Sequence, residues 1–229
     1  MADLGRKPRT RRYPNSGLAT DRFICHRYVM TVDLLGALAA FAFVSSITPG
    51  PNNLMLMASG ANFGMSRSLP HMMGVAVGFT VMIVLVGIGL MQIFDLWPPS
   101  YDILKYGSVI YLLWLAWKIA NAGEPGRAKS PTGSPITFWQ AAAFQWVNPK
   151  AWAMALTAIA AYAPARDLGG VLMVSAVFGA INLPSISAWT MMGQQIRRIL
   201  TSPGRLRLFN WTMAALLILS VLPVIFAAS

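Results

Sequence analysis

Charge is what this chain of 229 residues has least of. Only 11% of its residues are charged and seven are acidic, where a globular domain carries about 25% charged residues. A water-soluble fold of this size is thereby excluded, and the 56% hydrophobic content points to a membrane protein. Cysteine is nearly absent too: the single Cys25 cannot form an internal disulfide. Histidine is confined to His26 and His71, and the acids outside the N-terminal segment are Asp33, Asp95, Asp102, Glu124 and Asp167, all at the ends of apolar runs or between them. No His/Cys/carboxylate set has metal-ligand spacing, and no Gly-rich phosphate loop with a following Lys-Ser/Thr is present. Enzymatic chemistry, nucleotide-driven transport and a resident metal or other cofactor are therefore not expected.

What charge there is has one sign. The formal net charge is +11. Residues 1–30 hold seven bases and two acids, net +5. The remaining bases are scattered between apolar runs, which argues against nucleic acid as a partner and for the sidedness of membrane insertion. Residues 1–29 are basic and rich in Arg, Pro and Ser, without a signal-peptide core. They read as a disordered tail or as translated sequence ahead of a start at Met30.

Residues 34–66, 72–94, 168–196 and 208–228 carry no charge, and 130–165 carries only Lys150. A spanning helix needs about 20 predominantly apolar residues. The pattern predicts an all-α membrane protein with six spans, near 34–58, 70–94, 101–121, 137–162, 168–193 and 206–228. The third is the weakest, with Lys105 and Lys118 expected to snorkel and Tyr101, Tyr106 and Trp117 to sit at the interface. Loops after spans 1, 3 and 5 hold eight bases and those after spans 2 and 4 hold two, which puts the former in the cytoplasm. The seven bases of the N-terminal segment contradict that topology, which favours Met30 as the start.

Two of the spans carry matching interruptions, Thr48-Pro49-Gly50-Pro51 and Asn148-Pro149, 100 residues apart. Three-helix units in tandem, near 30–122 and 137–229, must be inverted relative to each other because three is odd. Paired Pro/Gly-interrupted helices in such repeats point to a binding site. At the first, Pro49 and Pro51 cannot bond the carbonyls of Ser45 and Ile47, so the helix breaks. A half-helix then starts, whose N–H groups at Asn52, Asn53 and Leu54 suit a carboxylate. At the second, Asn148 is a cap, Pro149 fits the first helical position, and Lys150 is a base inside a span. Ser45, Thr48, Asn53, Gln145 and Asn182 are candidates for a cargo's ammonium group. The competing reading is a proline kink with amides gluing neighbouring helices.

Asn182-Leu183-Pro184 is a third interruption, a kink or part of a pathway. Gly74 and Gly78 fit close helix packing, and His71 is expected to be interfacial and solvated.

At Thr48–Asn53, Tyr111–Lys118 and Asn148–Lys150 the chain resembles the LysE/RhtB superfamily of bacterial amino-acid exporters. Pro49-Gly50-Pro51-Asn52-Asn53, Trp114–Ala120 and Phe138-Trp139 ahead of Phe144–Asn148 are most similar to cysteine/O-acetylserine exporters, with threonine and homoserine exporters also similar. The resemblance implies a six-span inner-membrane carrier that exports small neutral amino acids or derivatives by proton antiport. Some members carry an acid near the place of Asn182, and an amide there cannot titrate. If protons are coupled, the carrier is then elsewhere, with Lys150 and His71 as the candidates; the alternative is weak coupling.

The reading is an exporter whose midplane site comprises Ser45, Thr48, Pro49, Gly50, Pro51, Asn52, Asn53, Gln145, Asn148, Pro149, Lys150 and Asn182. Its partners are a small amino acid, protons and the lipid bilayer, with homo-oligomerisation left open. The alternatives are a carrier for another small metabolite or an ion, and a non-transporting membrane scaffold.

Overall fold

The computed structural model describes residues 31–90, 96–97, 99–122, 134–163 and 167–220. Residues 1–29, the subject of the start-site expectation, lie outside them. The described residues form seven helices and no strand: α1 (Val32–Ile47), α2 (Pro51–Gly87), α3 (Pro99–Ala120), α4 (Phe138–Val147), α5 (Pro149–Tyr162), α6 (Leu168–Arg197) and α7 (Pro203–Leu219). Among them, helices over Pro51–Gly87, Asp102–Ala120 and Leu168–Arg197 are long and apolar enough to cross a membrane, with mean hydropathies of 2.1, 1.3 and 1.7. Val32–Ile47 is a shorter apolar helix.

Local chemistry fixes where the helices start. The side chains of Thr31, Asp167 and Ser202 accept from backbone N–H groups of the first turns of α1, α6 and α7. Thr137 and Gln140 form a reciprocal capping box at the start of α4.

The chain reverses inside α2. Gly64 has φ 77° and ψ 174°, a conformation essentially reserved for glycine. The hydroxyls of Ser59 and Ser68 lie 2.7 Å apart, although nine residues of straight helix would separate them by roughly 13 Å. Thus α2 is two antiparallel rods, 51–63 and 65–87, turning on one residue. The loop expected across 59–69 is therefore absent, and Pro70 lies within the second rod. The predicted ends at 91–94 and 221–228 fall outside the described residues.

Two apolar cores hold the helices together. One gathers α1, the second rod of α2, α5 and the start of α6 around Leu38, Ile83, Ala155 and Phe178. The other gathers the first rod of α2, α3, α4 and α7 around Leu56, Leu115, Phe144 and Leu217. Backbones approach closely in the middle. A Cβ on Gly60 would lie 2.0 Å from the Thr190 carbonyl, and one on Gly193 2.0 Å from that of Met57. Gly74 and Gly78 pack on α4 in the same way, as their spacing predicts. The outer faces of α3, α6 and α7 expose Ile110, Leu172 and Leu208, as lipid-facing surfaces do.

Candidate functional site

Between α1 and α2 the backbone runs extended, with Thr48 at φ −63°, ψ 139° and Gly50 at φ −174°, ψ 175°. The carbonyls freed there need partners away from water. Asn53 Nδ2 donates to the Ser46 and Thr48 carbonyls, both at 2.8 Å. Trp189 Nε1, on α6, donates to Ile47 C=O at 3.1 Å. Lys150 Nζ, on α5, donates to Thr48 C=O at 2.7 Å and Pro49 C=O at 3.4 Å. Its cation thus sits at the C-terminal end of α1, where the helix dipole favours positive charge. Ahead of α2 no side chain caps the helix, and Leu54 N–H donates to Gly50 C=O at 3.0 Å. Of the N–H groups expected to be open, only those of Asn52 and Asn53 precede that first helical bond.

The gap between α4 and α5 is one residue. Asn148 is extended, and its Oδ1 accepts from Lys150 N–H at 3.1 Å. Gln145, fully buried, and Asn52, partly buried, exchange amide hydrogen bonds of 2.8 and 3.1 Å, tying the end of α4 to the start of α2.

A cavity opens where the two gaps meet. Its polar walls are Ser45, Ser46, Gly50, Asn52, Asn53, Asn148, Lys150 and Asn182, and its apolar walls are Phe79, Ala151 and Met154. It is open on one side, and its empty space counted out to that mouth is about 330 Å³. Seven of the twelve predicted site residues line it. Gln145 stands behind Asn52, and Pro51 and Pro149 open helices. Thr48 and Pro49 are exposed, and the Thr48 hydroxyl donates back to Val44 C=O. The Ser45 hydroxyl is likewise engaged, by Phe41 C=O at 2.6 Å.

Most of the amides are therefore held by the protein's own groups. Two polar side chains are not: Ser46 Oγ is buried without a partner, and the Asn182 amide makes no side-chain hydrogen bond among the described residues. Ser46, Phe79, Met154 and Trp189 were not predicted. The adjacent Ser45-Ser46 pair was the one available signal, and only the phase of α1 decides which serine faces Asn53.

Three expectations fail. α6 runs through Asn182-Leu183-Pro184 as one helix with Pro184 inside it, so there is no gap there like those before α2 and α5. His71 is not solvated: it is 0% exposed, and both ring nitrogens lack partners among the described residues. Lys118 does not snorkel; it is buried and donates to Gln140 Oε1 at 2.9 Å. For Lys118 the partner Gln140 lies on helix α4, 22 residues away, which covers a position that the local pattern assigns to an interface. Tyr106 and Trp117 are exposed, in keeping with an interfacial or lipid-facing place.

The profile of the LysE type translocator family matches residues 43–225. The chain belongs to this family. It is thus a multi-pass membrane translocator with a small-molecule substrate, rather than an enzyme. A cysteine/O-acetylserine efflux protein of Klebsiella pneumoniae is 29% identical over 191 residues, 82% of this chain and 95% of its own. Proteins of the same description from Escherichia coli O139:H28 and Escherichia coli K12 are 31% and 30% identical over 193 residues, 82% of this chain and 96% of theirs. No solved structure matches the chain at comparable stringency.

Proposed function

We propose that this LysE family member exports a small neutral amino acid or derivative across the bacterial inner membrane, and that the cargo binds between the two helix gaps. The observation that carries this reading is the cavity itself. Two helix N-termini, a lysine and the unengaged Ser46 and Asn182 converge on it, opposite an apolar wall of Phe79 and Met154. The carboxylate suits the Asn52 and Asn53 N–H groups and Lys150; the ammonium suits Ser46 Oγ and the Asn182 carbonyl. A compact side chain fits against Phe79.

In this reading α1 with the first rod of α2 is one interrupted span, and α4 with α5 is another. The first runs from the α5 core to the α3 core, and the second runs back. That opposite sense supports two inverted three-helix repeats, near 30–122 and 137–229, rocking about the cleft. Proton antiport belongs to the same proposal. His71, buried in α2 with both ring nitrogens unpartnered among the described residues, and Lys150 are the carriers considered.

The test is efflux of a labelled amino-acid panel from proteoliposomes, with and without a pH gradient. Export of O-acetyl-L-serine or another small neutral amino acid, accelerated by the gradient, is expected. Movement of none of them under any gradient overturns the exporter reading, and gradient-independent export overturns the antiport.

A further inference from the structure

The first rod of α2 lines two cavities. Roughly 13 Å along it from Asn53, near Asn62, a second cavity, about 280 Å³ counted out to its open mouth, opens towards the end of α3 and the segment leading into α4. Two of its polar groups are engaged by neighbours. Ser59 Oγ lies 2.7 Å from Ser68 Oγ, and the Asn62 amide exchanges hydrogen bonds of 2.6 and 2.9 Å with Asn210. Lys118 differs. It is 6% exposed, and its ammonium donates to two neutral oxygens, Pro135 C=O at 3.2 Å and Gln140 Oε1 at 2.9 Å. Among the described residues no carboxylate pairs with it. An ammonium has three donors, and a buried charge without a counter-charge is costly.

The cavity lies at the end of the molecule where the basic residues gather. Arg197 donates to Asn62 C=O at 3.5 Å, and Arg67 lies just beyond the Gly64 turn. By the positive-inside rule this end faces the cytoplasm. An exporter must collect its cargo there.

We propose that Lys118 forms a cytoplasmic capture site for the cargo's carboxylate, from which the cargo passes along α2 to the cleft at Gly50; this rests on the exporter reading above. A single ammonium beside neutral oxygens suits a zwitterion. The carboxylate meets Nζ, and the oxygens of Pro135 and Gln140 are at hand for the cargo's own ammonium. A phosphate dianion would call for a larger set of donors.

The experiment measures uptake of labelled O-acetyl-L-serine into inverted membrane vesicles, which load from the cytoplasmic face. Lys118→Gln should raise the half-saturating concentration about tenfold or more while keeping the maximal rate within about twofold, because it removes a charge-assisted contact made before the transport step. Lys118→Arg should restore it, and loading of right-side-out vesicles from the opposite face should not change. An unchanged half-saturation overturns the proposal. So does a fall in maximal rate on both faces that arginine does not rescue, since Lys118 would then only prop Gln140. Glu124, the acid nearest in sequence after Lys118, provides a control: a Glu124→Gln variant matching Lys118→Gln would mean that the ammonium serves a carboxylate of the chain, which also overturns the proposal. If the wild type moves no O-acetyl-L-serine, the labelled panel member that it does move takes its place, and movement of none of them means that the exporter reading has failed separately. The capture site is then judged by the ¹⁵N resonance of the lysine ammonium in nanodiscs titrated with acetate. A saturable shift absent from Lys118→Gln supports the site, and no shift overturns it.

Discussion

Asn53 and Ser46 sit side by side in the cleft and should respond to substitution in different ways. Asn53 holds two carbonyls freed by the gap before α2. Asn53→Ala leaves both without a donor, at about 1–3 kcal/mol each. We expect it to lower the unfolding midpoint of the purified protein in detergent and to abolish export. Ser46 holds nothing, and neither does Asn182. Ser46→Ala and Asn182→Ala should leave the unfolding midpoint unchanged yet raise the half-saturating cargo concentration about tenfold, the equivalent of one hydrogen bond to a charged group. A loss of stability without a change in half-saturation would make these two residues part of the packing instead. The sequence contains the amides and hydroxyls but not this division of roles. Which donor meets which carbonyl depends on Trp189 and Lys150, more than 100 residues from the gap they serve.

At the scale of the helices, the gaps were legible and the turn was not. Proline and glycine act on their own backbone, so Thr48–Pro51 and Asn148-Pro149 mark helix ends whatever surrounds them. Gly64 is one glycine among 19 and reverses the chain without any loop composition to announce it. A Cβ at Gly64 meets nothing within 4 Å, so Gly64→Ala is strained through its backbone alone. Its expected cost is about 1–3 kcal/mol, read as a lower unfolding midpoint. Gly60 and Gly193 are constrained by space instead. A methyl group on Gly193 would have to push the backbone of Met57 away from a distance of 2.0 Å. Gly193→Ala should therefore separate α6 from the first rod of α2 and reduce the yield of folded protein more than Gly64→Ala does. Equal yields would contradict so close an approach of these rods. The burial of Lys118 was illegible for a related reason, because it reaches Gln140 on helix α4, which local charge patterning cannot see.

Across the whole molecule, the asymmetry of the bases and the order of the helices support one topology. The turn at Gly64, the end of α3 and the end of α6 lie together beside Lys118, Asn62 and Arg197. Reporter fusions after Gly64 and after Ile199 should read as cytoplasmic, and fusions after Trp97 as external. The reverse pattern would invert the direction in which the two cavities are used. Alternating access then requires the α1–α2 and α4–α5 gaps to move relative to each other. Their links are a pair of amide hydrogen bonds and the Lys150 contacts, a polar seam rather than an apolar one.

The central claim is that cargo occupies the cleft between the gaps, and partly exposed Met154 on its wall offers access to it. In a Cys25→Ser background, Met154→Cys places a single thiol on the cavity wall. Its labelling by a small methanethiosulfonate reagent should slow as O-acetyl-L-serine is added, with half-protection at the concentration that half-saturates transport. Labelling that proceeds at the same rate under saturating cargo, while the variant still transports, would contradict the account.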